Sequence, residues 1–297
     1  MSGVFANFMA QKARRNYHEL RRFTEWSDRP LKRFVILATH RTGSSVTAME
    51  LGSHPEIMCH GEVFNWGNKS QPPKLTSRIG QYIHPIRRKS FEIQEKYLKS
   101  RHPELFMEEL VFRTYRKQVT QIGCKILVVQ MQRFFPKLAE YLKAHSETRL
   151  IVVKRANAVN QALSYLEAQS SGRWSVTVNQ GQPKGQLTQK ELNVSDLKRR
   201  LFLIETQNQY IDELTSRLTN PRVEVQYEQL LRDPKGYFET LYRFLGVETK
   251  VKQKLLLKKQ RYWRLEDRYR NYEQAQTALK DTPWFDMFLS SDQELLS

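Results

Sequence analysis

The sequence predicts an α/β fold, a three-layer α/β/α arrangement around a central parallel sheet, and three observations carry that expectation. Apolar runs rich in β-branched residues recur at strand length, at residues 34–38, 122–129 and 149–154. A stretch of helical composition follows each run, where a hairpin would need a tight turn and a second strand. The first run leads into a hydroxyl-rich turn with one glycine, Thr39-His40-Arg41-Thr42-Gly43-Ser44-Ser45, and then into a helix. Strand and helix in alternation call for right-handed crossovers and parallel strands.

Taken in order, residues 34–38 (FVILA) suit a buried strand, and residues 44–51 a helix that Gly52 and Pro55 can stop. A second strand is expected at Ile57-Met58-Cys59. Residues 64–90 are rich in Gly, Pro, Ser and polar side chains and read as a long loop, of the kind that carries specificity or is an idle insertion. Residues 91–117 have helical composition, broken near Pro103. Residues 122–129 give the next strand, and residues 133–145 a helix with Leu138 and Leu142 four apart. After the strand at 149–154 a helix is expected over 156–169, ended by Ser170-Ser171-Gly172. A second polar loop spans 173–190. In residues 195–218 Leu197, Leu201, Ile204, Ile211, Leu214 and Leu218 keep helical spacing. A strand at 223–227 and a helix at 237–245, capped by Gly246, complete the pattern.

At 297 residues the chain can bury a sizeable core. We expect one domain over 33–297 behind a basic N-terminal extension of residues 1–32. Part of that extension, from about Val4 to Phe23, has the pattern of an amphipathic helix, either solvated or lying on a membrane or a partner. Lys and Arg total 49 against 31 Asp and Glu, a formal charge of +18, so anionic partners are favoured. No apolar segment reaches the roughly 20 residues that span a bilayer, and residues 1–33 lack the apolar core of a secretory signal. The expectation is a cytoplasmic protein, with a basic surface that allows peripheral contact with anionic membranes. Cys59 and Cys124 lie in strand-like runs and read as buried thiols, without disulfide or zinc spacing. The basic run at 250–270, with Tyr262, Trp263 and Tyr269, reads as a solvated face, and no nucleic-acid partner is expected. Oligomeric state is not legible.

The turn after the first strand is a candidate anion site. Backbone N–H groups of a tight turn and of a helix N-terminus converge there. Arg41 supplies charge, Thr42, Ser44 and Ser45 supply hydroxyls, and Gly43 permits close backbone approach. An arginine aimed at the positive end of a helix dipole is repelled unless an anion lies between them. The lysine of GxxxxGK[ST] is absent, which disfavours a nucleoside triphosphatase. A second pair is Arg155, which leaves the carboxyl end of a strand, and Ser164, nine residues later on the following helix. Ligands of open α/β sheets bind beyond the carboxyl ends of the strands, so the two could meet on one phosphate. Two anion sites on one crevice suit a nucleotide phosphorylated at its 5′ and 3′ ends. His40, Lys125 and Trp174 are weaker candidates: His40 could be structural or sense the ligand, Lys125 could reach the crevice or snorkel, and Trp174 could be a platform for a sugar or a packing residue.

The segments RFVILATHRTGSS, HPEIMCHGE, RLIVVKRANAVNQALSYLEAQSSGRW and VEVQYEQLLRDPKGYFETLYRFLGV occur in this order over residues 33–247. Together they resemble the sulfotransferases that use 3′-phosphoadenosine 5′-phosphosulfate (PAPS), in particular the bacterial carbohydrate type such as the trehalose and nodulation-factor enzymes. The resemblance implies a P-loop-like sulfotransferase fold and transfer of a sulfuryl group from PAPS to a hydroxyl of a carbohydrate or glycolipid, without a metal. It implies that Arg41, Thr42, Gly43, Ser44 and Ser45 surround the 5′-phosphosulfate, and that Arg155 and Ser164 bind the 3′-phosphate. It also places a catalytic glutamate at Glu62, expected just after the second strand in an apolar setting, where a carboxylate becomes a stronger base. The bland alternative is a salt-bridged Glu62, and His60 is the rival base. Outside that family, a kinase-like phosphotransferase or a non-catalytic binder of nucleotides or anionic glycans would use the same features. Residues 1–32 and 250–297 carry no matching motif.

Overall fold

The structure, a computed structural model, describes residues 31–65, 95–112, 118–174, 189–251 and 264–292, together with Gln11. The expected N-terminal amphipathic helix, most of the two long polar loops, and Tyr262 and Trp263 lie outside the described residues.

Five parallel strands form the sheet: β1 (Lys32–Ala38), β2 (Ile57–Glu62), β3 (Gln121–Leu127), β4 (Arg149–Lys154) and β5 (Arg222–Gln226), in the order β2-β3-β1-β4-β5. Alternate residues of a strand point to opposite faces, and here both faces are covered. Val35 and Leu37 of β1 join Ile122, Cys124 and Ile126 of β3 in a core with Leu138 and Leu142 of α4 (Lys137–Ala144) and Leu214 of α6 (Val194–Ser216). Phe34, Ile36 and Ala38 join Ile151 and Val153 of β4 on the other face. They pack on Ala48 and Leu51 of α1 (Ser44–Leu51) and on Phe238, Leu241 and Tyr242 of α8 (Pro234–Leu245). This is the three-layer arrangement the sequence predicts.

The 95–112 region is helical at 95–101, breaks at His102, and continues through α2 (Pro103–Phe106) into a π turn, Met107–Val111. The strand expected to run on to Val129 stops at Leu127. Val128 and Val129, although β-branched, begin α3 (Val128–Arg133), because the Gln130 side chain accepts from the Leu127 N–H at 3.0 Å and starts a helix there. Pro136 separates α3 from α4, so the helix expected from Arg133 to His145 starts only at Lys137.

α5 (Ala158–Ser171) is capped by Asn157, whose Oδ1 accepts from the Asn160 N–H at 2.8 Å, and it ends at Gly172. Asn193 caps α6 in the same way. β5 gives way at Tyr227 to α7 (Tyr227–Arg232), a helix the sequence does not announce, and Asp233 caps α8. Three short C-terminal helices, α9 (Leu265–Arg268), α10 (Tyr272–Leu279) and α11 (Phe285–Leu289), close a third core against α5 and α6. That core contains Val159, Leu163, Leu201, Ile204, Leu279 and Phe288. No helix among the described residues is long and apolar enough to cross a membrane.

β2 extends beyond Cys59 to Glu62. Its ladder with β3 is irregular between Cys59 and Glu62, where Gly61 takes φ 69°, and the strand regains register with Glu62 opposite Lys125. Glu62 is therefore the last residue of the strand, where the sequence suggested a position just beyond it.

Candidate active site

β1 ends at Ala38, and residues 39–43 reverse the chain into α1. The turn holds two left-handed residues, Arg41 at φ 65° and Gly43 at φ 80°. Gly43 is needed for a second reason, because a Cβ there would lie 2.6 Å from Cδ2 of Tyr227. Arg41 has no such freedom. The left-handed region costs a residue with a side chain about 1–2 kcal/mol, a strain of the kind that collects at ligand sites.

Gly43 is the N-cap of α1 and has no side chain to cap it, so the first N–H groups of that helix face the turn. The buried Thr42 hydroxyl donates to the Thr39 carbonyl at 3.2 Å and closes the turn from inside. Ser44 is buried as well. From α5, Gln161 Nε2 donates to Thr39 Oγ1 and to the His40 carbonyl, both at 2.6 Å, and pins the start of the turn.

On the α5 side the cations gather. Arg41 Nε donates to Ser164 Oγ at 3.0 Å, and its Nη1 donates to the Trp174 carbonyl. Arg155 follows β4 directly; its Nη1 donates to the Arg41 carbonyl at 3.3 Å, and its guanidinium lies 4.5 Å over the Tyr227 ring. The structure thus brings Arg41, Arg155 and Ser164 to one place. Burial, and after it the charge of Arg155, lower the pKa of the Arg41 guanidinium. A phosphate at this point would relieve both penalties.

On the β2 side stands a second cluster. Lys125 is only 5% exposed; its Nζ donates to Ser45 Oγ at 3.0 Å and pairs with Glu62 Oε2 at 2.9 Å. The other carboxylate oxygen, Glu62 Oε1, accepts from Gln130 Nε2 at 2.9 Å. The setting of Glu62 is polar rather than apolar, since the ladder puts Lys125 opposite it and α3 brings Gln130 to its other side. Lys125 does reach the crevice, linking the turn to the carboxylate. His60 is buried within β2.

His40 lies between the two clusters. Its ring meets Tyr165 edge-on at 5.6 Å and Trp174 at 6.3 Å. Burial, then the charge of Arg200, hold its pKa down to about 4. Tyr227, Gln161, Gln130, Tyr165 and Arg200 are site residues that the sequence reading missed. Two signals could have found three of them. Tyr227 and Gln130 follow the carboxyl ends of β5 and β3, where ligands of such sheets bind, and Gln161 lies one helical turn before Ser164.

Beyond the carboxyl ends of β1, β3 and β4 the chain gathers cations and helix N–H groups beside a carboxylate, an arrangement able to hold a multiply charged anion. The sulfotransferase family model matches residues 33–251. The chain belongs to the sulfotransferase family, and it is a sulfotransferase. Nodulation protein H of Rhizobium meliloti is 24% identical over 268 residues, covering 87% of this chain and 96% of that protein. Nodulation protein H of Rhizobium tropici is 29% identical over 147 residues, 48% of each chain. Among solved structures, the sulfotransferase domain from the curacin biosynthetic pathway aligns with a TM-score of 0.48 at 13% identity, over 90% of this chain and 99% of that one. A sulfotransferase from Alicyclobacillus acidocaldarius aligns with a TM-score of 0.45 at 16% identity, over 91% and 95%.

Proposed function

We propose that the protein transfers a sulfuryl group from PAPS to a hydroxyl of a carbohydrate or glycolipid. The observation that carries the donor assignment is the convergence of Arg41, Arg155 and Ser164 beside the uncapped start of α1. Two guanidiniums beside a helix N-terminus fit a donor that carries several anionic groups. The acceptor class rests on the resemblance to carbohydrate-type enzymes and on Trp174, 45% exposed at the rim, an aromatic face on which a sugar can stack.

When bound, PAPS supplies an activated sulfuryl group. The chain's part is to hold, orient and deprotonate. Arg41, Ser45 and the N–H groups at the start of α1 hold the 5′ end and stabilise the charge that builds on the departing phosphate. Preorganised donors of this kind are worth about 3–4 kcal/mol each. Arg155 and Ser164 hold the 3′-phosphate. Glu62 takes the acceptor's hydroxyl proton, oriented by Gln130 and Lys125. Lys125 also contacts Ser45, and so fixes the distance between the donor loop and the base.

Incubation with radiolabelled PAPS and a panel of glycans and glycolipids tests the reaction, and calorimetry with 3′-phosphoadenosine 5′-phosphate (PAP) tests the donor site. Arg155→Ala should weaken PAP binding about tenfold to a hundredfold, the worth of charge-assisted hydrogen bonds. Equal affinity in the variant and the parent, or tighter binding of ATP than of PAP, would overturn the donor assignment.

A further inference from the structure

Arg200, on α6, is 9% exposed, and its guanidinium lies 3.3 Å from the centre of the Tyr165 ring. It forms no ion pair among the described residues, and its Nε has no hydrogen-bond partner there. The neighbouring charge is of the same sign, from Arg133 at the end of α3. Outside these residues, 175–188, which follow Trp174 in the chain, contain no Asp or Glu, and 66–94 contain only Glu92, against Lys69, Lys74, Arg78, Arg87, Arg88 and Lys89; the other acids there are Glu19, Glu25, Asp28 and Glu294, near the two ends of the sequence. A buried guanidinium without a carboxylate is costly, and stacking on tyrosine offsets only part of that cost. Such a group is retained where a ligand brings the anion.

The surroundings say which ligand. Tyr165 meets the Trp174 ring edge-on at 5.3 Å and the His40 ring at 5.6 Å, so Arg200, Tyr165, His40 and Trp174 form one continuous wall. Burial lowers the pKa of His40, which leaves the ring neutral at pH 7, and the wall carries its positive charge at Arg200. Ser164, on the donor side, is the residue before Tyr165 in the same helix. The wall therefore begins where the proposed donor site ends, and Trp174, whose carbonyl accepts from Arg41, belongs to both.

We propose that the acceptor is an acidic saccharide, with its carboxylate held by Arg200 beside Tyr165 and a sugar ring lying on Trp174. This rests on the reading of the adjoining cluster as the sulfuryl-donor site, and it adds a specificity-determining residue that the conversion of the donor does not require. A planar guanidinium binds a carboxylate through two parallel hydrogen bonds and discriminates strongly against a neutral group in its place.

The test uses the full chain, saturating PAPS, a disaccharide ending in a uronate, its carboxyl-reduced counterpart, and the corresponding sugar phosphate. The wild type should favour a charged sugar over the neutral one in kcat/KM by about tenfold to a hundredfold, the discrimination that charge-assisted hydrogen bonds provide. Preference for the uronate supports a carboxylate, and preference for the phosphate alone replaces it. In Arg200→Met the preference should fall towards one through KM. Arg200→Lys, which keeps the charge without the planar fork, should keep part of it. Calorimetric binding of the same sugars with PAP present reads the preference without turnover, and the affinity for PAP separates a lost subsite from a lost fold. Equal use of charged and neutral sugars by the wild type, or an undiminished preference in Arg200→Met, overturns the proposal. Transfer from PAPS to neutral sugars alone would remove the acidic acceptor and leave the donor assignment standing. Arg200-dependent binding of the acidic sugar by a protein that does not bind PAP would do the reverse.

Discussion

Gly43→Ala perturbs the site through geometry alone, adding one methyl group and no charge. The residue sits at φ 80°, where a side chain costs about 1–2 kcal/mol. Its new Cβ would lie 2.6 Å from Cδ2 and 3.2 Å from Cε2 of Tyr227, whereas ordinary contact begins at 3.4 Å, so the ring must retreat by about 0.8 Å. That ring carries the Arg155 guanidinium 4.5 Å above it, and Arg155 in turn donates to the Arg41 carbonyl. The methyl group therefore acts on two things: total stability, by about 2–3 kcal/mol with the packing loss included, and the position of Arg155. Thermal denaturation should show a melting temperature lower by roughly 4–12 °C, given 2–4 °C per kcal/mol for domains near this size. Calorimetry should show PAP binding weaker by about tenfold, the loss of one good ionic hydrogen bond. Repeating the substitution in a Tyr227→Ala background removes the steric part and leaves only the backbone cost, so the two changes should couple by about 1 kcal/mol. If Gly43→Ala matches the parent in both melting temperature and PAP affinity, the turn is not built as described. If the two changes are additive, the Tyr227 ring is not what the glycine makes room for.

Glu62→Gln should lower turnover by about a hundredfold or more while PAP affinity is kept, as for loss of a general base; unchanged kcat would move the base elsewhere, with His60 next to examine. Lys125→Met strips a buried cation from Glu62 and should cost about 2 kcal/mol in denaturant unfolding, below the 3–5 kcal/mol of fully buried pairs because the Glu62 side chain is 20% exposed; an unchanged midpoint would make the pair ornamental. His40, with its folded pKa lowered to about 4 from 6.5, binds a proton more readily when unfolded, so its contribution is present above pH 6.5 and is lost as the pH falls towards 4. That term amounts to roughly 3 kcal/mol at most, and His40→Gln should flatten the fall in stability over this window; an equal slope in the variant would refute it.

The order of strands and helices and the place of the cationic turn were legible because both are local: apolar runs set the strands, Gly172 ends α5, and the Arg41 to Ser45 turn follows directly from β1. Glu62 was legible as a residue but not in its surroundings. Its partners Lys125 and Gln130 are 63 and 68 positions away, brought there by a parallel ladder whose irregularity at Gly61 no sequence rule places. Val128 and Val129 misled for a related reason. Their β-branched preference is worth less than the helix start that Gln130 supplies by capping the Leu127 N–H.

What the sequence by itself determined was the α/β class, the parallel sheet, and the cationic turn with its partner pair, Arg155 and Ser164. Those follow from periodicity and from charges at strand ends. What only the tertiary structure decided was which side chains share a charge: that Arg41 lies between Ser164 and Arg155, that Lys125 ties Ser45 to Glu62, and that Arg200 stacks on Tyr165 with no carboxylate beside it among the described residues. The physical reason is that burial and Coulomb interactions depend on distances in space. Crossovers and the packing of α5 against α6 set those distances between residues far apart in the chain, and no pattern along the sequence encodes them.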